Sequence, residues 1–470
     1  MQHIAMIGGG LAGTLVAMHL VRHAQRPLCI TLFDQQAQFQ TGIAYAQSDF
    51  RHLLNVAAGK MSAWPDQPLH FVQWLQQQPA YANIDGALLA QTYLPRALYG
   101  QYLQQQWQQT VQDASSKNIQ LKLLAVSVTK LRVLPTSIAL SSALGEMQFD
   151  AVVVATGNEL PRPPLPAASG LTAIAGYQHN PWQAVTIPHS NTQSTAKPLQ
   201  PDSRVLILGN GLTMVDTVLA LRQAGVRSPM ISLSPHGYGM LPHRVSAVKL
   251  PDFASTLGEH PSLRQALRLF NQQRKQLRQL GISAEGLVDN LRPYSQLWWR
   301  GFSSAEKQFF FRKLRHLWGV ARHRLPLQIH DQIQQLRLQG ALEVRAGRLL
   351  SCQQHDSGIE VQFIAKGQTA PEVRQVDHII NCTGPENCYP RLANHMLATA
   401  IAEGVLASGP LELGLAACPG SLALKNGSGD IHPRLFGIGS ILRGELWETT
   451  ALNEIRQQAH QLAGQLLLLE

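Results

Sequence analysis

The chain has 470 residues, and its 45% hydrophobic content is enough to build sizeable cores, which excludes an intrinsically disordered protein. Lys and Arg outnumber Asp and Glu by 39 to 29, which gives a net charge of +10 and favours anionic ligands. The sequence contains no apolar run of roughly 18 residues, so we expect no membrane span.

The chain opens with the pattern of a Rossmann βαβ unit. A buried strand is predicted over residues 4–7, a helix over residues 14–23 and a second strand over residues 29–33. A G-x-G-x-x-G turn joins the first strand to the helix, and an acidic residue follows the second strand. This order is typical of a dinucleotide-binding fold.

Each position of this turn has a physical role. Gly8 allows the tight turn, Gly10 lets the backbone approach a pyrophosphate, and Gly13 lets the helix pack closely on the strand. The first N–H groups of the helix can bind the phosphates, and the Asp34 carboxylate can accept the ribose hydroxyl groups. The alternative is a glycine-rich turn that binds no ligand. The cofactor-binding residues predicted here are Gly8, Gly10, Leu11, Ala12, Gly13 and Asp34.

The pattern recurs in the second half of the chain. A strand is predicted over residues 204–208, a helix over 213–224 and a strand over 230–233. Met214 replaces the third glycine of the turn, so helix and strand cannot pack as closely. The alternative is a degenerate fold that binds nothing. The residues predicted to bind a second nucleotide are Gly209, Gly211, Leu212 and Thr213.

The second unit lacks the acidic residue after its second strand. The strand leads instead to Ser234, Pro235 and His236. Without a carboxylate a 2′-phosphate would not be repelled, and His236 and Arg244 could bind it. The sequence therefore favours NADPH over NADH, although both remain open.

Two later strands end alike. Residues 150–157 end in Ala155, Thr156 and Gly157, and residues 377–384 end in Cys382, Thr383 and Gly384. Small residues at a strand end let a cofactor approach the sheet, and they also suit a simple crossover between domains. We predict that Ala155, Thr156, Gly157 and Gly384 contact cofactors.

The segment 251–326 is predicted to be a helical insertion in the second unit, with helices over 261–280 and 304–324. It carries many arginines. Because no strand shows alternating basic and aromatic residues, we expect a solvated face or a cover over an anionic cofactor, and no nucleic-acid partner.

Several short stretches resemble those of a bacterial FAD-NAD(P)-binding family of flavoproteins. This family is related to flavin monooxygenases with two dinucleotide-binding domains, such as urate-type hydroxylases, and more distantly to N-hydroxylating monooxygenases. One departure concerns Ser234-Pro235-His236-Gly237, where family members often have Ser-Arg before the glycine. The stretches are residues 42–45, 52–56, 61–63, 94–96, 99–100, 322–324, 439–444, 446–451 and 454–456.

The resemblance implies an α/β fold with two Rossmann-like domains, one for FAD and one for NAD(P), and a helical insertion. The FAD domain would comprise residues 1–190 and 386–470, with the NAD(P) domain, residues 200–385, inserted between them. Further cofactor-binding residues implied are Arg96, Gly439, Trp447 and Thr450. The alternatives are that Arg96 pairs with a carboxylate and that Trp447 fills the core. His52 and Asn55 are candidate catalytic hydrogen-bond donors, and structural hydrogen bonding within their loop is the alternative.

The implied function is that of an FAD-dependent oxidoreductase that uses NADPH or NADH, and above all a monooxygenase that hydroxylates a small substrate, with nitrogenous compounds among the candidates. The alternatives are a flavin reductase or dehydrogenase without oxygenation, and a non-catalytic flavin-fold binding protein. The five cysteines form no C-x-x-C pair, which argues against a disulfide reductase and provides no local metal motif, so no metal is expected. Sparse, odd-numbered cysteines also fit a cytoplasmic protein.

Overall fold

The computed structural model describes residues 1–46, 52–183, 198–244, 250–282 and 285–469. The boundary expected near residue 190 lies outside the described residues. The chain divides into two compact units: unit 1 comprises residues 1–158, 250–313 and 387–470, and unit 2 comprises residues 159–249 and 314–386.

Unit 1 is built on a sheet with the strand order β15-β16-β7-β1-β2-β3. The pairs among β16, β7, β1, β2 and β3 are parallel, and β15 is antiparallel to β16. A separate antiparallel meander contains β4, β5 and β6. The strands are β1 (Gln2–Ile7), β2 (Leu28–Phe33), β3 (Gln120–Leu124), β4 (Val128–Val133), β5 (Ile138–Ser142), β6 (Gly145–Phe149), β7 (Ala151–Val154), β15 (Ala423–Lys425) and β16 (Ile431–Gly437).

The sheet of unit 1 has mainly apolar central strands, which form part of the core. All residues of β2 and of β7 are buried, as expected for parallel strands covered on both faces. The first helix packs against the last helix of the chain. The helices are α1 (Leu11–His23), α2 (Gly42–Tyr45), α3 (His70–Gln76), α4 (Gly86–Gln91), α5 (Arg96–Ser116), α7 (Leu263–Gln279), α8 (Glu285–Leu291), α9 (Ser295–Gly301), α10 (Ser304–Phe309), α13 (Met396–Ala402) and α14 (Leu452–Leu467).

Unit 2 repeats the plan with the strand order β13-β12-β11-β10-β9-β14-β8. The strands β11, β10, β9, β14 and β8 pair in parallel, whereas β12 and β13 extend the sheet as an antiparallel meander. The strands are β8 (Tyr177–Gln178), β9 (Val205–Leu208), β10 (Met230–Ser234), β11 (Leu342–His355), β12 (Gly358–Ala365), β13 (Glu372–Val376) and β14 (His378–Asn381). The helices are α6 (Leu212–Gln223), α11 (Arg315–Arg322) and α12 (Leu327–Leu338).

The helical segment is placed differently from the expectation that it belongs to the second unit. Residues 250–313 group with unit 1, and only residues 314–326 stay with unit 2. The physical reason is an aromatic contact: the Trp299 ring lies 4.9 Å from that of Trp447, and its indole N–H donates to the Gly444 carbonyl at 2.8 Å. An ion pair between Arg292 and Glu454, at 2.8 Å, adds to this packing.

The helix expected over residues 304–324 is not continuous. It is α10, a π-helical turn over Phe310–Leu314, and α11. Among the described residues, no helix combines the length and the apolar character that a membrane span requires.

Candidate functional site

The first candidate site is the edge of the unit 1 sheet where the parallel strands end. Because the carboxyl ends of β16, β7, β1 and β2 meet there, residues distant in sequence become neighbours. The predicted residues at this edge are Gly8, Gly10, Leu11, Ala12, Gly13, Asp34, Ala155, Thr156, Gly157 and Gly439.

The first glycine turn has the geometry of a pyrophosphate cradle. Gly8 has φ +115°, and a Cβ there would collide with the Ala155 carbonyl oxygen. A Cβ on Gly13 would collide with the Gly8 carbonyl oxygen. Gly10 caps α1 without a side-chain hydrogen bond, so the first N–H groups of the helix remain directed at the edge. The turn therefore requires glycine where the sequence predicted it.

Asp34 accepts hydrogen bonds from the backbone of the turn and of the following residues, and it retains an acceptor position for a ligand. Its Oδ2 accepts the Gly9 N–H at 3.2 Å, and its Oδ1 accepts the N–H groups of Gln36 and Gln38 at 3.0 and 3.2 Å. A carboxylate offers about four acceptor positions, so one on Oδ2 remains for a ribose hydroxyl. The side chain is partly exposed, which leaves it accessible.

Gly439 lies against the start of α1, with its Cβ position 3.8 Å from the Ala12 Cβ. A buried hydrogen-bond network holds Gly439 in place. The sequence alone did not reveal this network. The Gly439 N–H donates to Gln458 Oε1 at 3.2 Å, and Gln458 Nε2 donates to Thr449 Oγ1 at 2.8 Å. The Thr449 hydroxyl in turn donates to the Gly439 carbonyl at 3.2 Å. Thr449 is fully buried, whereas the predicted Thr450 is exposed.

The Thr156 hydroxyl supports a ligand at this edge. Its oxygen is buried and has no hydrogen-bond partner among the described residues. Buried polar atoms of native proteins nearly always have a partner, so this one fits a polar group of a bound molecule. The neighbouring Gly157 carbonyl is held by the Ser440 hydroxyl.

The loop that carries His52 and Asn55 pairs with Arg96 at the start of α5. The Arg96 N–H donates to the His52 carbonyl at 2.8 Å, and its Nε donates to the Leu53 carbonyl at 3.2 Å. His52 is buried and Asn55 half-buried. The helix α2 lies against the glycine turn, because the Gly42 Cα lies 3.4 Å from the Cβ position of Gly10.

Trp447 lies in an aromatic cluster with Trp299 and Phe310 and is 5% exposed. The Arg443 guanidinium lies 5.0 Å from its ring centroid. These ring contacts make Trp447 part of the packing of unit 1. Its indole N–H has no partner among the described residues.

The second candidate site is the equivalent edge of unit 2. The Gly209 N–H donates to the Leu233 carbonyl at 2.8 Å, just as the Gly8 N–H donates to the Phe33 carbonyl at 2.8 Å. This register makes Ser234 the structural equivalent of Asp34. Gly211 caps α6 as Gly10 caps α1, and a Cβ on it would meet no described atom within 4 Å. Leu212 and Thr213 form the first turn of α6, and Gly384, with φ +91°, follows β14.

The residues after β10 differ in charge from those after β2. The His236 ring stacks on Tyr238 with centroids 5.2 Å apart, and it lies 4.9 Å from the His316 ring. The Arg315 Nε donates to His316 Nε2 at 3.3 Å. Desolvation first, and then Arg315 and His236, lower the pKa of His316 to about 4, so this ring is neutral at pH 7. Arg315 therefore places a positive charge beside a neutral His316 ring.

Comparisons with known proteins agree with this geometry. Residues 5–159 match a family model described as FAD-NAD(P)-binding. No curated protein has a sequence that matches the chain significantly. The matched segment contains the first glycine turn and Asp34.

Solved structures share the fold over nearly the whole length. Ornithine N-hydroxylase from Kutzneria sp. 744 is 14% identical, covers 98% of this chain and 98% of its own, and has a TM-score of 0.63. L-lysine 6-monooxygenase from Pseudomonas syringae is 14% identical, with coverage of 99% and 98% and a TM-score of 0.63. Bacillithiol disulfide reductase from Staphylococcus aureus is 11% identical, with coverage of 99% and 98% and a TM-score of 0.55. The predicted fold of two Rossmann-like domains is thus confirmed.

Proposed function

We propose that the chain is an FAD-dependent monooxygenase that takes electrons from NAD(P)H and hydroxylates a small, nitrogen-containing substrate. The observation that carries the proposal is the repeated strand edge: each unit has a glycine turn, a helix N-terminus and a small-residue strand end. One such edge suits one dinucleotide, and two edges suit an electron donor and a flavin.

Unit 1 suits FAD. It contains the matched segment 5–159, the partly exposed Asp34 for the ribose and the unpartnered Thr156 hydroxyl. The N–H groups at the start of α1 would hold the pyrophosphate. When bound, FAD would supply hydride acceptance and the activation of O₂, while the chain would orient the cofactor and exclude water.

Unit 2 suits NADPH. Ser234 replaces the acid that would otherwise repel a 2′-phosphate, and its hydroxyl accepts the Gly237 N–H at 3.1 Å. Arg315 provides a guanidinium beside His316, and Arg244 is exposed. Arginine recognises phosphate well because its planar fork can donate two parallel hydrogen bonds. NADPH is therefore the proposed donor.

The roles of His52 and Asn55 remain part of the proposal. The backbone of the loop that carries them is held by Arg96, the first residue of α5. We assign them as hydrogen-bond donors that orient bound groups, since an imidazole and an amide can both donate.

The fold is shared with a disulfide reductase, but the described cysteines form no disulfide for that reaction. All five are described and none is in a disulfide. Burial raises the pKa of Cys352 and of Cys382 to about 12, so both are unreactive thiols at neutral pH.

Ornithine, lysine and cadaverine monooxygenases are among the proteins that share the fold, so primary amines are the first substrates to test. The experiment is to follow NADPH and NADH oxidation by the FAD-loaded protein across a panel of amines and nitrogen heterocycles, with products analysed by mass spectrometry. The proposal predicts one hydroxylated product, formed in proportion to the NADPH consumed. NADPH oxidation that yields only hydrogen peroxide with every compound would favour the reductase alternative.

A further inference from the structure

Three histidines of unit 1 come together on the side of α1 that faces α14. His19 and His23 are one helical turn apart on α1, and His460 lies on α14. The ring centroid of His460 is 5.1 Å from that of His19 and 5.3 Å from that of His23. One ring nitrogen from each histidine can be chosen so that all three lie within 4.8 Å of one another. Two histidines at i and i+4 on one helix face are a recurrent arrangement for metal ligands.

His19 is the unusual member of the cluster. It is fully buried, and neither ring nitrogen has a hydrogen-bond partner among the described residues. A buried imidazole normally satisfies at least one nitrogen, so the unpaired nitrogens indicate a missing partner. Both ring nitrogens of His19 therefore remain available to a ligand.

The spacing suits a small ion after minor side-chain rotation. Zinc binds histidine nitrogen at about 2.0–2.1 Å in tetrahedral geometry, which places two ligand nitrogens about 3.4 Å apart. Closing the present separation of up to 4.8 Å needs a movement of roughly 1 Å or more by the exposed His23 and His460 rings. Because these two rings reach solvent, an ion has an entry path, and water can serve as the fourth ligand.

The nearby cations are held by other partners. The Arg22 guanidinium forms a bidentate pair with Asp66, at 3.0 and 2.6 Å, and lies 4.8 Å from the Trp64 ring centroid. The Lys117 ammonium donates to the carbonyls of Val21 and Arg22 at 2.9 and 2.8 Å. Asp66 compensates the charge of Arg22, which limits the repulsion that an incoming dication would meet.

We propose that His19, His23 and His460 form a binding site for one divalent transition metal ion, of which Zn²⁺ is the probe of choice. Three histidine ligands suit Zn²⁺, Ni²⁺ and Cu²⁺ and do not suit Mg²⁺ or Ca²⁺, which prefer oxygen. The ion would join α1 to α14. Since α1 begins at the glycine turn of unit 1, the site would strengthen the scaffold of that turn. It does not depend on the proposed function.

The test uses FAD-loaded, metal-free protein without a polyhistidine tag. Because His19 is buried and its replacement could impair folding, the variants are H23Q and H460Q, and H355Q is the control for an exposed histidine elsewhere. Calorimetric titration with Zn²⁺ should give one ion per chain with a Kd of about 1 μM or lower in the wild type and in H355Q. H23Q and H460Q should each bind at least roughly 100-fold more weakly.

Two further readouts do not depend on activity. Saturating Zn²⁺ should raise the melting temperature of the wild type and H355Q and leave that of H23Q and H460Q unchanged. Co²⁺ should give the intense visible absorption of a four-coordinate site in the wild type and H355Q, and in neither H23Q nor H460Q. Absence of stoichiometric Zn²⁺ binding to the wild type, or full binding by both H23Q and H460Q, would overturn the proposal.

Discussion

Gly211→Ala separates cofactor binding from folding in unit 2. Gly211 has φ −83°, which any residue can adopt, and its added Cβ would meet no described atom within 4 Å. Gly209→Ala is unsuitable because φ is +112° and the Cβ would collide with the Cys382 carbonyl oxygen. If the turn has only a structural role, Gly211→Ala should leave cofactor binding unchanged. If a pyrophosphate approaches it, the new methyl group should block that approach.

The expected stability change is small. Alanine is a poorer N-cap than glycine by roughly 0.5–1 kcal/mol, and it stabilises by a similar amount through the lower entropy of the unfolded chain. The binding change is larger. Losing one charge-assisted hydrogen bond from backbone to phosphate costs about 1.5–3 kcal/mol, which corresponds to a roughly 10- to 150-fold higher Kd for NADPH.

The assay is anaerobic reduction of the bound flavin at increasing NADPH concentration, with melting temperature measured in parallel. Gly211→Ala should keep its FAD and its melting temperature within about 3 °C of the wild type, while its apparent Kd for NADPH rises. Gly464→Ala, an open position in α14, is the control and should leave both ligands unaffected. Gly10→Ala, whose Cβ meets only the Gly42 Cα at 3.4 Å, should weaken FAD instead. Unchanged NADPH affinity in a folded Gly211→Ala protein would refute the assignment of this turn.

Three other substitutions test separate parts of the account. Gln458→Leu removes the acceptor of the Gly439 N–H and the donor to the Thr449 hydroxyl, and it should lower the free energy of unfolding by about 2 kcal/mol in urea titrations. An unchanged free energy would mean that the network contributes little to stability. Ser234→Asp places a carboxylate where unit 1 has Asp34 and should lower kcat/KM for NADPH roughly 10-fold relative to NADH, through about 1–2 kcal/mol of charge repulsion. An unaltered ratio would place the 2′-phosphate elsewhere. In metal-free protein, His19 is neutral when folded, with a pKa of about 3, and takes up a proton near pH 6.5 when unfolded. Stability should therefore fall below about pH 6.5, by up to roughly 1.4 kcal/mol per pH unit from this residue, and His19→Leu should flatten that slope. An equal slope in the variant would contradict the burial argument.

Local patterns allowed much of the fold to be predicted. Both glycine turns, their flanking strands and the two small-residue strand ends follow from short-range rules. At Gly8, Gly13 and Gly209 a backbone collision requires glycine, whereas Gly10 and Gly211 have room for a Cβ. The helix α1 begins at Leu11, earlier than residue 14, because Gly10 acts as its cap.

What the sequence could not reveal depends on contacts between distant segments. The grouping of residues 250–313 with unit 1 rests on Trp299 meeting Trp447, and no local pattern encodes that contact. The choice between Thr449 and Thr450 depends on which side of the chain faces Gln458. The His19 and His23 pair was visible as an i, i+4 spacing, but its third member arrives on α14.

The proposed monooxygenase function requires that the reduced protein activates O₂ to hydroxylate a substrate. Its most direct test is rapid mixing of the NADPH-reduced, FAD-loaded protein with O₂ while the visible spectrum is recorded, with and without a substrate from the panel. A monooxygenase should show a transient absorbance that belongs neither to reduced nor to oxidised flavin, and hydroxylated product should form as this absorbance decays. A direct return to the oxidised spectrum with one hydrogen peroxide per flavin, whether or not substrate is present, would contradict it.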